Sequence, residues 1–316
     1  MKRIISLVLA AMMIFALAAC TPTGSTTMTM GTGGTAGTYY AYGAVLGNQI
    51  KTSSGVTVNV VSTDGSKANI LGIAAGNYQL GTVQSDVMAY AWAGTRSFSE
   101  GAVSSFRVIG GLYAEAVQLI TMNENIKSVA DLKGKKVSIG ASGSGVYFNA
   151  IDILTAAGMT EQDIIPQYQS FADSADALKD GKIDAAFIVA GAPTPAITEL
   201  CTSSNAYLVP IDGDIASTLK ASSPYYTDYV IPANTYKGQT ADVTTVTVKA
   251  TLIVSTTASE EAVYDITKAI FDNMGDIAHD KAKELSLENA TGGMAAPFHK
   301  GAAKYFAEKG VTVESK

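Results

Sequence analysis

Apolar and polar positions along this chain change period repeatedly. Thr26 to Met30 alternates with period two and predicts a strand over 26–30, whereas from Tyr39 onward apolar residues recur at helical spacing and predict a helix over 38–52. A Gly/Thr cluster separates the two. The exchange continues downstream, with strands predicted over 56–63, 78–84, 107–111, 136–140, 164–169 and 183–190 and helices over 65–76, 86–94, 145–157, 172–180 and 194–203. This is the alternation of an α/β protein built on a mostly parallel sheet.

Two long extended runs divide that alternation into two lobes. LYAEAVQLITMN (112–123) closes one set of strand-turn-helix units, and DLKGKKVSIGASGSG (131–145) opens a second set in the same manner. TTVTVKATLIVS (244–255) is long enough to cross back, leaving C-terminal helices over about 260–280 and 299–309 to pack on the first lobe. The predicted organisation is lobe one from 26–113 and 245–316, lobe two from 114–244, and a hinge where the two runs cross.

A chain of 316 residues with 47% hydrophobic content can build two cores of ordinary size. Its formal net charge of -6 argues against nucleic acid or an anionic membrane surface as the main partner. Lys2-Arg3, the apolar run Ile4 to Ala19 and Cys20 make residues 1–20 a secretory signal peptide. Leu17-Ala18-Ala19-Cys20 resembles the bacterial lipobox, which predicts an exported protein, lipid-anchored at Cys20 to the cell envelope through a short polar linker, 21–25. Cys201 is the one other cysteine, so no intramolecular disulfide is expected, and it reads as a small buried hydrophobe.

Four strand-to-helix turns are candidates for binding: Gly31-Thr32-Gly33-Gly34-Thr35, Gln84-Ser85-Asp86, Ser142-Gly143-Ser144-Gly145 and Gly191-Ala192-Pro193-Thr194-Pro195. Ligands of open α/β sheets lie beyond the carboxyl ends of the strands, where all four fall. The first and third combine glycines, hydroxyls and a helix start, which suits a carboxylate held on backbone N–H groups. The mature chain has only Arg96 and Arg107 and cannot rely on an arginine cluster. Tyr39, Tyr40 and Tyr42 follow the first turn, and one or two of them would wall a ligand. Asp86 has two readings, a helix-start residue serving the exposed N–H groups or a partner for a ligand amino group.

The rival reading is an exported enzyme. Gly31 to Ala36 fits the permissive dinucleotide form G-x-G-x-x-A, with Asp64 where a ribose-binding acid is wanted, yet this leaves the second Gly-rich turn unexplained. A hydrolase is less well served, because there is no G-x-S-x-G elbow and no base nominated for Ser144. His279 and His299 are expected to be exposed or capping, and no Cys/His spacing suggests a metal; no cofactor is predicted.

GTGGTAGTYYAYGAVL, VQSDVMAYAWAG, LYAEAVQLI, VADLKGKKVSIGASGSGV, KIDAAFIVAGAPTPAI and APFHKGAAKYFAEKG, in this order, resemble the TAXI family, the solute-binding subunits of one class of TRAP transporters. The resemblance spans about 28 to 310. It implies a type II periplasmic-binding-protein fold, no enzymatic activity, and a monomer that delivers a glutamate-like amino acid or related carboxylate to a sodium-driven permease. By position it implies a ligand wall of Gly33, Gly34, Thr35 and Tyr39 with Gln84, Ser85 and Asp86 nearby, facing Ser142, Gly143, Ser144, Gly145 and Val146 with Gly191 and Pro193. Lys300 and Phe306 depart from the family pattern, where proline and tyrosine are usual.

Overall fold

The structure, a computed structural model, describes residues 26–316; the predicted signal peptide, Cys20 and the linker 21–25 lie outside the described residues. Ten strands follow in chain order: β1 (Thr27–Gly31), β2 (Thr57–Val61), β3 (Leu80–Gln84), β4 (Phe106–Thr121), β5 (Lys136–Ser138), β6 (Ile165–Gln167), β7 (Ala185–Ala190), β8 (Tyr207–Val209), β9 (Thr227–Ile231) and β10 (Val243–Ser255). The helices are α1 (Thr38–Ser54), α2 (Ser66–Ala74), α3 (Ser85–Ala93), α4 (Val146–Ala156), α5 (Phe171–Lys179), α6 (Pro195–Ser203), α7 (Gly213–Ser222), α8 (Glu260–Phe271), α9 (Leu287–Thr291) and α10 (Lys300–Glu308).

One curled sheet runs through the molecule in the order β2-β1-β3-β10-β4-β7-β5-β6, with β8 on β4 and β9 on β10. β1 pairs parallel with β2 and β3, and β5 pairs parallel with β6 and β7, so each end is built as the strand-helix alternation requires. β4 and β10 are antiparallel to each other and join the two ends. β10 pairs with β3 through Ala250–Val254 and with β9 through Val243–Thr247; β4 continues past β10 to pair with β7 through Ala116–Thr121. Register shifts in the β4/β10 ladder lie between Lys249 and Thr251 and between Leu252 and Ile253, and such irregularities bend a ladder.

The apolar packing follows the two ends. One core draws on 28–113 and 250–306, with Phe148 as its single contribution from between those ranges. Two further cores, one on each face of the other end of the sheet, draw on 116–248. The fold is therefore a mixed α/β, two-lobed architecture.

Several elements differ from the sequence expectation. The predicted strand 107–111 and the run 112–123 are one 16-residue strand, β4, because nearly every side chain on both of its faces is buried. The helix expected over 260–280 ends at Phe271. Asp272 at its C-cap accepts hydrogen bonds from Tyr305 and Lys268 and pairs with Lys309, after which two short 3-10 turns replace the helix. Between 204 and 231 the chain adds β8, α7 and β9, none of which was predicted. Cys201 is buried in a core and, among the described residues, unpaired.

Candidate ligand-binding site

A cavity of about 340 Å³ lies where the two ends of the sheet face each other. Residues 33–39, 62–66 and Gln84 wall it from one side; Ala141, Ser144, Val146, 169–172 and Val189-Ala190 wall it from the other; Glu115, on the crossing strand β4, also lines it. This placement follows from topology, since β1, β2, β3, β5, β6 and β7 all deliver their carboxyl ends to it.

Helix starts open toward this space from both walls. Neither α1, with Gly37 at its N-cap, nor α4, with Gly145, is capped by a side chain, so no side chain competes with a ligand for their first-turn N–H groups, of which Phe148 N–H already donates to Gly145 O. Tyr39, in the first turn of α1, donates its hydroxyl to Glu115 Oε2 at 2.5 Å. Glu115 is only 2% exposed, and burial raises its carboxyl well above the usual carboxylate range; the Tyr39 bond pulls the other way, and so does Lys281. Burial, then Glu115, raises Tyr39 as well.

The lobes touch on both sides of the cavity. Ala68 N–H donates to Gly143 O at 3.2 Å and Ala196 N–H to Ala36 O at 3.1 Å. Thr38 Oγ1 donates to Gly191 O at 2.8 Å. Gln84 Nε2 donates to Asn149 Oδ1 at 3.0 Å, and Asn149 Nδ2 donates to Asp86 Oδ2 at 2.9 Å and to Tyr226 Oη at 2.7 Å. From Tyr226 the chain of bonds runs through Asp152 to Arg96. This is a closed arrangement.

The predicted residues occupy three kinds of position. Gly33, Gly34, Thr35, Tyr39, Gln84, Ser144 and Val146 line the cavity. Gly143, Gly145, Asp86 and Gly191 stand at contacts between the lobes. An atom in the place of a Gly143 Cβ would lie 2.9 Å from Asp64 Cβ, and at Gly145 it would lie 1.4 Å from Gln84 Oε1. The others lie elsewhere. Ser142 is exposed on its turn, Ser85 accepts the Lys249 N–H at 3.2 Å beside a separate groove, and Pro193 lines another groove with residues 274–275 and 277–283. Ser144 Oγ is spent on Ala141 O at 2.6 Å, and both histidines cap: His279 Nδ1 accepts from Lys281 N–H, and His299 Nδ1 from Gly301 N–H.

Sequence reasoning missed Glu115, Gln169 and Phe171, all of which line the cavity. For Glu115 a signal was present. It is the only acid in FRVIGGLYAEAVQLIT, a run otherwise apolar enough to be buried on both faces.

The sequence profile of the NMT1-like family matches residues 30–310. The chain belongs to that family. Among solved structures, one from Bordetella bronchiseptica RB50 superposes with a TM-score of 0.55 at 16% identity, covering 89% of this chain and 88% of that one. A Listeria monocytogenes protein assigned to an L-cystine ABC transporter gives 0.51 at 16% identity, with 84% and 95% covered. The ligand-binding component of an ABC-type import system from Staphylococcus aureus, with zinc bound, gives 0.50 at 10% identity, with 83% and 79% covered. At such identities these likenesses establish for this NMT1-like protein the fold alone.

Proposed function

We propose that this NMT1-like protein is an exported solute-binding protein, and not an enzyme, which captures a small carboxylate in the interlobe cavity. The ligand class is a glutamate-like amino acid or a related 2-oxo acid or dicarboxylate. The partner is a sodium-driven TRAP permease, in keeping with the TAXI resemblance, and the chain is lipid-anchored at Cys20 and monomeric. The lobes are 26–113 with 245–316, and 114–244. One observation carries the reading: a cavity between two lobes, with uncapped helix starts on opposite walls. Carboxylate oxygens dock on the N–H groups at those helix starts, and the lobes close by bending β4 and β10.

The ligand-binding set we propose is Gly33, Gly34, Thr35, Tyr39, Gln84, Ser144 and Val146 around the ligand. Ser85, Asp86, Ser142, Gly143, Gly145, Gly191 and Pro193 act from the surrounding turns. The test is thermal unfolding of the chain without residues 1–20 against glutamate, glutamine, 2-oxoglutarate, succinate, branched-chain amino acids and NAD. A ligand at a hundredfold its Kd adds roughly 2.7 kcal/mol, so Tm rises with at least one small carboxylate. A rise with NAD alone would instead favour the dinucleotide reading of Gly31 to Ala36.

A further inference from the structure

The charges around the cavity are one-sided. Its lining includes two acids, Asp64 and Glu115, and no lysine, arginine or histidine. Asp64 is exposed, but Glu115 is 2% exposed and has no ion-pair partner among the described residues. The nearby cation, Lys281, is outside the lining and is bound at 2.7 Å to Glu284. Tyr39 occupies Oε2 of Glu115, while among the described residues Oε1 takes no hydrogen bond.

Other acceptors accompany it. Gln84 Oε1 and Gln169 Oε1 are buried carbonyl oxygens without a partner among the described residues, and both residues line the cavity. Gln84 itself is 2% exposed, with its amide nitrogen already committed to Asn149. Buried polar atoms are normally satisfied, so unsatisfied acceptors on residues of the same cavity wall as Glu115 call for a ligand rich in donors. A buried carboxyl without a cation is held neutral by desolvation, and an ammonium seated on it restores the charged, paired form.

We infer that the ligand carries a cationic amine seated on Glu115, which makes it an α-amino acid and excludes the 2-oxo acid or dicarboxylate of the same skeleton. The inference rests on the solute-binding reading and narrows it. Tyr39 gives the arrangement its geometry. It belongs to the first turn of α1, so the acid its hydroxyl holds and the start of that helix line the same cavity. The ammonium and carboxylate of an α-amino acid thus have an acid and a helix start to meet within one cavity. An ammonium supplies three donors and accepts nothing, which matches the acceptors present.

The experiment uses matched ligands on the chain without residues 1–20, unfolded in guanidinium chloride and refolded to remove any bound solute. Each of the twenty protein amino acids is compared with its 2-oxo acid and its unsubstituted acid by thermal shift, and any binder is then titrated calorimetrically. At least one amino acid raises Tm while both of its amine-free counterparts fail, and Glu115→Gln weakens that amino acid by at least about 100-fold. An amine-free acid binding as well as its amino acid would overturn the inference and leave the solute-binding reading intact. The same holds if a folded Glu115→Gln chain keeps its affinity. No shift with any compound of either set would overturn the proposed function and the inference together.

Discussion

At the residue scale, the interlobe contact is organised around Asn149, whose amide meets Gln84, Asp86 and Tyr226. Gly145 makes room for it. In Gly145→Ala the new Cβ falls on Gln84 Oε1, so Gln84 must leave Asn149; calorimetry is expected to show ligand affinity lowered by at least about tenfold, with the far-ultraviolet circular dichroism unchanged. Asp86 is fully buried, and burial pushes its carboxyl up to about 7 against the bonds from Val87 N–H and Asn149. The folded chain therefore binds a proton that the unfolded chain releases near 3.8, and stability falls as pH rises through this window. The effect totals roughly 4 kcal/mol at most and is complete above about pH 7. Glu115, also raised by burial, acts in the same direction, so the check is by difference. Urea unfolding from pH 5 to 8 should show a smaller loss of stability in Asp86→Asn than in the unsubstituted chain, and parallel pH profiles would exclude this role for Asp86.

At the element scale, what could be read in the sequence was whatever is local. Gly/Ser turns and changes of period mark β1, α1, α3 and α4, because each buries alternate side chains or a stripe at helical spacing. β8 and β9 were not legible: three and five residues long, mostly exposed on β9, they have no clean alternation and are defined by pairing with distant β4 and β10. The site divides the same way. Its turns are punctuated by glycine, but which turn faces which depends on packing between residues far apart in sequence, so Gly143 came to face Asp64 and Ala68 instead of the cavity. The C-terminal helices offer a test of packing away from the site. Phe306 is fully buried against Phe271, Phe298 and Tyr305, and an added tyrosine hydroxyl there would enter an apolar cluster. Phe306→Ala should cost about 3–5 kcal/mol in urea unfolding. Ser259→Ala, which removes the acceptor for Ala262 N–H at the start of α8, should cost about 1 kcal/mol.

At the scale of the whole molecule, two antiparallel strands join the lobes and interlobe contacts hold them together around the cavity. The outermost contact is the ion pair Arg96–Asp152 at 2.7 Å, with side chains 35% and 16% exposed; pairs of this kind contribute about 0.2–1 kcal/mol, enough to bias closure but not to lock it. Gly143→Val acts at this scale too: its side chain meets Asp64 and Ala68 across the lobe contact, so it props the lobes apart. Closure on a solute is the central claim, and small-angle scattering of the ligand-stripped chain without residues 1–20, with and without a mixture of the twenty protein amino acids, measures it directly. The account predicts a smaller radius of gyration with the mixture, and no such compaction in Gly143→Val. A radius of gyration unchanged by the mixture, under conditions where the same mixture raises Tm, would contradict it.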